Sequence, residues 1–205
     1  MHLLDQRILG TVILLLLAVL VVIKLMATGS ILKDRPRGHL RIWLTHIFNL
    51  FFLLMVNPLA AILLITRDLE AFDPTRLAMD MPWVLMGLEI VGMVLYVMGF
   101  LLMAWALIRL GRNYQPGGSD PRGADEMVMD GPYRLVRHLM YTAVLGISLG
   151  LACLVQSLAF FAVFCIYFLL ILMLIPGEEE GLRRAYAGRY IAYRQKVKGL
   201  VPLFF

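Results

Sequence analysis

Long apolar runs divide this sequence, and they constrain its fold more than any other feature. Five runs approach or reach the roughly 20 residues that a membrane-spanning helix needs. They cover residues 8–27, 42–66, 82–110, 139–153 and 158–175. Hydrophobic residues make up 61% of the 205 residues, and the mean hydropathy is +0.82, too high for a soluble domain of this size. We therefore predict an all-α, polytopic membrane protein with five transmembrane helices, organised as a single membrane domain over residues 1–205.

The first run has a second interpretation, a cleaved secretory signal. Its basic n-region is limited to Arg7, which Asp5 offsets, and a small-residue cleavage site is weak. This pattern favours a retained span.

The basic residues are concentrated in particular connectors, which orients the spans. Five Lys and Arg residues accompany the first connector, five lie in residues 109–137 and six in the tail, against two in the second connector. Because basic loops stay on the cytoplasmic side, we predict an outside N-terminus and a cytoplasmic C-terminus. The absence of organelle signals favours a prokaryotic inner membrane. The distribution of the +5 net charge does not indicate nucleic-acid binding, and Cys153 and Cys165 lie in apolar runs, so we predict no metal site.

Polar residues interrupt the second and third runs. His46, Asn49 and Asn57 lie in the second, where Pro58 predicts a kink. Polar groups inside a span either bond neighbouring helices or contact a substrate, and we favour helix bonding. Glu89, in the third run, is expected to have a structural role as well.

The segment from residue 127 to residue 141 combines charge with aromatic character at the entrance to the fourth run. Within it, Asp130-Gly131-Pro132 predicts a helix start, because proline suits the first helical position. A helix from there would place Tyr133, Arg137 and Tyr141 on one face. A simple juxtamembrane anchor is the alternative.

The other polar segments are a long loop and a C-terminal helix. The loop, residues 109–137, has a turn-rich centre typical of a functional lid. Pro176-Gly177 predicts the end of the last span, followed by an amphipathic basic helix over 178–198. That helix is expected either on the membrane surface or folded back over the loop.

Two motifs resemble a known family. Gly131-Pro-Tyr-Arg-x-Val-Arg-His-x-x-Tyr141 is followed some forty residues later by Glu178-Glu-x-x-Leu-x-x-x-Tyr-x-x-x-Tyr-x-x-Tyr193. The pair is similar to the C-terminal signature of the isoprenylcysteine carboxyl methyltransferase and phospholipid methyltransferase family, which are integral membrane enzymes that use S-adenosylmethionine. The resemblance extends over roughly residues 110–205.

The resemblance implies a pocket for S-adenosylmethionine, built from the cytoplasmic loop and the C-terminal helix. Glu178 or Glu179 would pair with the donor ammonium, and Arg137 or His138 would bind its carboxylate. Tyr133, Met127 and Val128 would flank the ribose and adenine. The implied cofactor-binding residues are Asp125, Glu126, Met127, Val128, Tyr133, Arg137, His138, Leu139, Met140, Glu178 and Glu179. Arg137 and Glu178 are the candidate catalytic residues.

The sequence departs from the family pattern at several positions. Leu139 replaces a proline, which predicts that the helix runs straight through this point. Leu174 stands where prenylcysteine methyltransferases have an arginine, so a prenylcysteine carboxylate would lack a cation. Tyr186-Ala187-Gly188 replaces the Phe-Gly pair.

The resemblance implies transfer of a methyl group from S-adenosylmethionine to a lipophilic small molecule, a carboxylate, amine or thiol, that enters from the membrane lipid. An NADPH-dependent reductase of the sterol-reductase type is one alternative, since such enzymes carry a similar Arg-His-Pro-x-Tyr turn. The paired glutamates favour a sulfonium donor over an anionic dinucleotide. A non-catalytic membrane scaffold with the same fold is the other alternative.

Overall fold

The computed structural model describes residues 5–29, 40–77, 81–114 and 126–200, and the regular elements within these ranges are all helical. The α-helices are α1 (Gln6–Thr28), α2 (Leu40–Phe51), α3 (Asn57–Thr66), α4 (Leu69–Phe72), α5 (Pro82–Leu110), α6 (Leu139–Val155) and α7 (Leu158–Lys196). A π-helical segment, Phe52–Val56, joins α2 to α3, and short 3-10 helices cover Gly111–Asn113 and Gly131–Arg134.

Four helical segments of the described chain are long and apolar enough to cross a membrane. They are Gln6–Thr28, Ile42–Thr66, Pro82–Asn113 and Leu158–Lys196. The fifth predicted span corresponds to α6, whose 17 residues fall just short of this length. Its passage through the membrane therefore stays a prediction.

The predicted kink in the second span takes the form of a π-helical turn before Pro58. Proline has no amide hydrogen, and the extra residue of a π turn accommodates the missing bond. The Asn57 side chain donates to the carbonyl of Phe52 over 3.0 Å, and Tyr96 of α5 donates to Oδ1 of Asn57 over 3.1 Å. Asn57 is fully buried, so its role is the predicted one of bonding neighbouring helices.

Glycines bring α5 and α6 into backbone contact. A Cβ on Gly150 would lie 2.6 Å from the Tyr96 nitrogen and 2.8 Å from the Gly92 oxygen. A Cβ on Gly99 would lie 2.7 Å from the Ala143 oxygen. Gly146 and Gly150, which form a Gly-x-x-x-Gly pattern in α6, both face α5.

The helix predicted to start at Pro132 begins later. Gly131–Arg134 is a 3-10 turn, residues 135–138 turn again, and α6 starts at Leu139. Tyr133, Arg137 and Tyr141 therefore do not share a face of one helix. The prediction that a helix runs straight through Leu139 is also wrong. Residue 139 is the first helical position, and a proline would be tolerated there.

The last span does not end at Pro176-Gly177. α7 continues through both residues to Lys196, and its break lies at Ala187, where φ is 46° and ψ is −123°. The predicted separate helix over 178–198 is thus an extension of the span followed by a short bent segment. Pro176 is accommodated within the long helix, and the backbone changes direction eleven residues later.

Ala187 adopts a conformation that favours glycine, at the position where the family pattern has one. We expect Ala187→Gly to raise the free energy of unfolding by about 1 kcal/mol, because the Cβ strain is removed. Ala185→Gly is the matched control, since Ala185 is exposed in regular helix and its replacement should cost about 1 kcal/mol. Thermal unfolding in detergent measures both, and a destabilising Ala187→Gly would contradict the strain.

Candidate functional site

A cavity of about 200 Å³ lies where α2, α5, α6 and α7 meet the segment before α6. Its walls combine aromatic, apolar and charged side chains. The lining residues are Thr45, His46, Asn49, Met103, Leu110, Asn113, Tyr114, Glu126, Met127, Val128, Tyr133, Arg137, His138, Leu139, Met140, Tyr141, Val144, Tyr167, Glu178, Leu182, Tyr186, Tyr190 and Tyr193.

Most of the site residues predicted from the sequence line this one cavity. They are Glu126, Met127, Val128, Tyr133, Arg137, His138, Leu139, Met140 and Glu178. Glu179 is not among the lining residues, and Asp125 lies outside the described residues. The two distant motifs therefore meet, as the resemblance implied, while the roles of the individual residues stay predictions.

Glu179 is the centre of an ion network behind the cavity wall. Its Oε1 lies 2.6 Å from Nη2 of Arg137 and 3.2 Å from Nε2 of His138, and its Oε2 lies 3.2 Å from Nε of Arg194. Glu179 lies beyond the apolar part of α7, residues 158–176, and hydrogen bonds from His138 and Arg137 lower its pKa to about 2. Both carboxylate oxygens of Glu179 are therefore paired with protein side chains, and its predicted role in cofactor binding stays a prediction.

The C-terminal segment is bound along the turn that precedes α6. The amides of Arg137 and His138 donate to the carbonyls of Lys198 and Gly199 over 2.8 and 2.9 Å. The Tyr193 hydroxyl donates to the carbonyl of Tyr133 over 2.6 Å. The C-terminal segment thus lies along this turn, and its Tyr190 and Tyr193 line one side of the cavity.

Glu178 faces the cavity, one residue away from the ion network. Its Oε2 accepts a hydrogen bond of 2.6 Å from the Tyr141 hydroxyl, and the Tyr141 ring stacks on His138 at 5.7 Å. The side chain of Glu178 is 23% exposed, against 11% for Glu179. Of the paired glutamates, Glu178 is therefore the one that lines the cavity.

Three buried polar atoms on the cavity residues have no hydrogen-bond partner within the part of the chain that the structure describes. They are the hydroxyls of Tyr133 and Tyr190 and Nε of Arg137. Tyr190 is 1% exposed and Tyr133 is 7% exposed. Burial raises the pKa of Tyr133, so its hydroxyl remains a donor. An unpaired buried polar group costs about 1–3 kcal/mol, so each of these three atoms is unusual for a folded protein.

Several lining residues were not predicted as site residues. Tyr186, Tyr190 and Tyr193 form an aromatic stripe within the second motif, but they are not among the residues that the resemblance implies for cofactor binding. The bend at Ala187 instead directs this stripe toward the cavity. His46 and Asn49 were interpreted as helix-bonding residues, and an intramembrane position was the signal that could have identified them.

Comparison with known proteins agrees with this architecture. Residues 88–189 match the sequence model of the phospholipid methyltransferase family. The fold is similar to the solved structure of the eukaryotic intramembrane Ras methyltransferase isoprenylcysteine carboxyl methyltransferase without a monobody, with a TM-score of 0.52 and 19% identity. The similarity covers 80% of this chain and 50% of that one, so the chain spans about half the length of the solved protein.

No curated protein sequence matches this chain. The matched residues 88–189 contain the first motif and the paired glutamates of the second, and the similar solved structure is that of a methyltransferase within the membrane. This chain belongs to the phospholipid methyltransferase family of integral membrane methyltransferases.

Proposed function

We propose that this protein transfers a methyl group from S-adenosylmethionine to a lipophilic small molecule that reaches the cavity from the membrane. The observation that carries the proposal is the set of unpartnered donors of Tyr133, Tyr190 and Arg137 beside the carboxylate of Glu178. Such a wall suits a zwitterionic ligand, because it offers both an anion and buried hydrogen-bond donors.

The lining residues fit the parts of the methyl donor. Glu178 would hold the ammonium, and Nε of Arg137 would donate to the carboxylate, while its Nη atoms stay with Glu179 and the tail carbonyls. Met127 and Val128 supply apolar surface for the adenine. S-adenosylmethionine, when bound, supplies an electrophilic methyl group on a sulfonium.

The remaining task of the protein is to align two reactants and to exclude water. The C-terminal segment does this on one side, where Tyr193 is hydrogen-bonded to the backbone of Tyr133. Met103 and Val144 add apolar surface to the lining of the cavity. The basic connectors support a cytoplasmic position for the donor site.

The lining of this cavity does not suit a carboxylate acceptor. Leu174, which stands where an arginine would bind a prenylcysteine carboxylate, is 3% exposed and surrounded by protein. Arg137 supplies the guanidinium among the described lining residues. Its Nη2 is already paired with the carboxylate of Glu179. We therefore favour an amine, thiol or other uncharged nucleophile over a carboxylate.

Binding and turnover test this function directly. The purified protein in lipid nanodiscs should bind S-adenosylhomocysteine in calorimetry and should not bind NADPH. Incubation with methyl-labelled S-adenosylmethionine and native lipid extract should give a labelled lipophilic product in mass spectrometry. Binding of NADPH without S-adenosylhomocysteine would support the reductase, and binding of neither would support the scaffold.

Removal of the unpartnered hydroxyls is expected to weaken ligand binding without lowering the stability of the protein. We expect Tyr133→Phe and Tyr190→Phe each to weaken S-adenosylhomocysteine binding about tenfold without lowering the unfolding temperature, because each removes a donor that has no protein partner. Calorimetry and thermal unfolding provide the two readouts.

Tyr96→Phe is the matched control for these variants. Its hydroxyl is bonded to Asn57, far from the cavity lining, so the variant should lose about 1 kcal/mol of stability and keep its affinity. Unchanged affinity in both cavity variants would mean that the hydroxyls do not contact the donor.

A further inference from the structure

Polar residues of the second span line the same cavity as the methyltransferase motifs. Thr45, His46 and Asn49 all come from α2. They lie outside residues 88–189, the part that matches the family model, so the shared signature does not account for them. We therefore expect these three residues to give this chain a property that the family signature does not encode.

These residues extend the cavity to the depth of the membrane interior. Asn49 lies nine residues after Leu40, which is about 14 Å along the helix. Its Oδ1 accepts a 2.6 Å hydrogen bond from Tyr167, in the middle of the apolar part of α7. Tyr167 precedes Glu178 by eleven residues, or about 16 Å. The lining thus runs from a charged end near Glu178 to an uncharged polar end at Asn49.

Asn49 is exposed although it lies within an apolar span. An amide that faced only lipid would be costly, and intramembrane polar groups are retained where they face a cavity or a partner. One oxygen of Asn49 is bonded to Tyr167, and the residue also borders the cavity. The α2 and α7 side therefore offers a polar surface to a molecule that arrives from the lipid.

We propose that Thr45, His46 and Asn49 bind the headgroup of the methyl acceptor, an uncharged hydroxyl, thiol or neutral amine on an apolar body, and that His46 accepts its proton. This inference rests on the proposed methyl transfer. It adds an acceptor site and a proton acceptor from a helix outside the family match.

The chemistry of these three side chains determines the acceptor class. A hydroxyl, an imidazole and an amide offer hydrogen bonds without a fixed charge, whereas a carboxylate acceptor would need a cation in this dry region. In the transfer, a lone pair of the acceptor heteroatom forms a bond to the methyl carbon while the carbon–sulfur bond breaks. That electron pair stays on sulfur, and the proton of the heteroatom passes to the imidazole of His46.

Two variants separate binding from proton transfer, with a control on the same span. His46→Gln keeps a polar side chain but removes the base, and Asn49→Leu removes the amide at similar volume. Thr66→Val changes a polar residue at the other end of the span, which bonds to the carbonyl of Leu63. Each protein is assayed in nanodiscs with methyl-labelled S-adenosylmethionine and increasing amounts of native lipid extract.

We expect His46→Gln to lower the maximal rate about a hundredfold at unchanged S-adenosylhomocysteine affinity. Asn49→Leu should raise the amount of extract that gives half-maximal rate about tenfold, with little change in the maximal rate. Thr66→Val should behave as the wild type.

Three results would overturn the acceptor site while leaving the proposed function intact. These are wild-type rates in both α2 variants, loss of S-adenosylhomocysteine binding in either, and a labelled product that is a carboxylate methyl ester. A wild-type protein that neither binds S-adenosylhomocysteine nor labels any lipid would instead refute the methyltransferase function, and the acceptor site with it.

Discussion

Replacement of Gly150 by alanine is expected to lower the free energy of unfolding by about 3 kcal/mol. The new Cβ would lie 2.6 Å from the Tyr96 nitrogen and 2.8 Å from the Gly92 oxygen. Both atoms belong to the backbone of α5, so no side-chain rotation relieves the contact. The two helices must move apart, and their packing in the membrane depends on close approach.

Gly87→Ala is the matched control for this substitution. Gly87 lies in α5, the helix that Gly150 of α6 contacts, and a Cβ at this position meets no atom of the described residues within 4 Å. It should be neutral or gain up to about 1 kcal/mol from helix propensity. Unfolding in a graded denaturing detergent measures both variants. Equal stability of Gly150→Ala and the wild type would contradict the backbone contact between α5 and α6.

Glu178→Gln is expected to produce the largest loss of function. The substitution removes the negative charge that we assign to the donor ammonium and keeps the shape of the side chain. A charge-assisted hydrogen bond of this kind contributes about 2 kcal/mol, so the Kd for S-adenosylhomocysteine should rise about thirtyfold. Calorimetry on the protein in nanodiscs gives this value, and methyl transfer should fall with it.

Glu180→Gln makes the same change in charge two residues away. Glu180 is paired with Arg183 on the exposed face of α7 and does not line the cavity. Its replacement should leave the Kd within about twofold of the wild type, since exposed ion pairs contribute little. If the two variants bind equally well, then Glu178 has no contact with the ammonium and the donor orientation must be reversed.

The difference between the two adjacent glutamates has consequences for the wall of the site. Glu179 joins Arg137, His138 and Arg194, while the backbone of Arg137 binds the C-terminal segment. The same arginine therefore connects the ion network, the tail and the cavity. A change at Arg137 would alter all three at once, which is why Glu178 and the tyrosine hydroxyls are the better probes of ligand contact.

The sequence by itself determined the class of this protein and the two motifs of its site. Apolar runs longer than any soluble core requires predict membrane helices, because a buried backbone in lipid must satisfy its own hydrogen bonds. The spacing of the Gly131 turn and the paired glutamates identified the family. The boundaries of the third span, Pro82 to Leu110, agree with those of α5, because a proline opens it and a glycine follows it.

Tertiary structure alone decided the course of the backbone at Leu139, Pro176 and Ala187, and with it the distinction between Glu178 and Glu179. Local rules predicted a helix start at Pro132 and a helix end at Pro176. Contacts between segments far apart in sequence overrode both: the tail binds the residues around Arg137, and the bend at Ala187 directs Tyr190 into the cavity. The helix propensity of a residue contributes about 1 kcal/mol to stability. Several hydrogen bonds between distant segments, together with buried aromatic rings, contribute more than that.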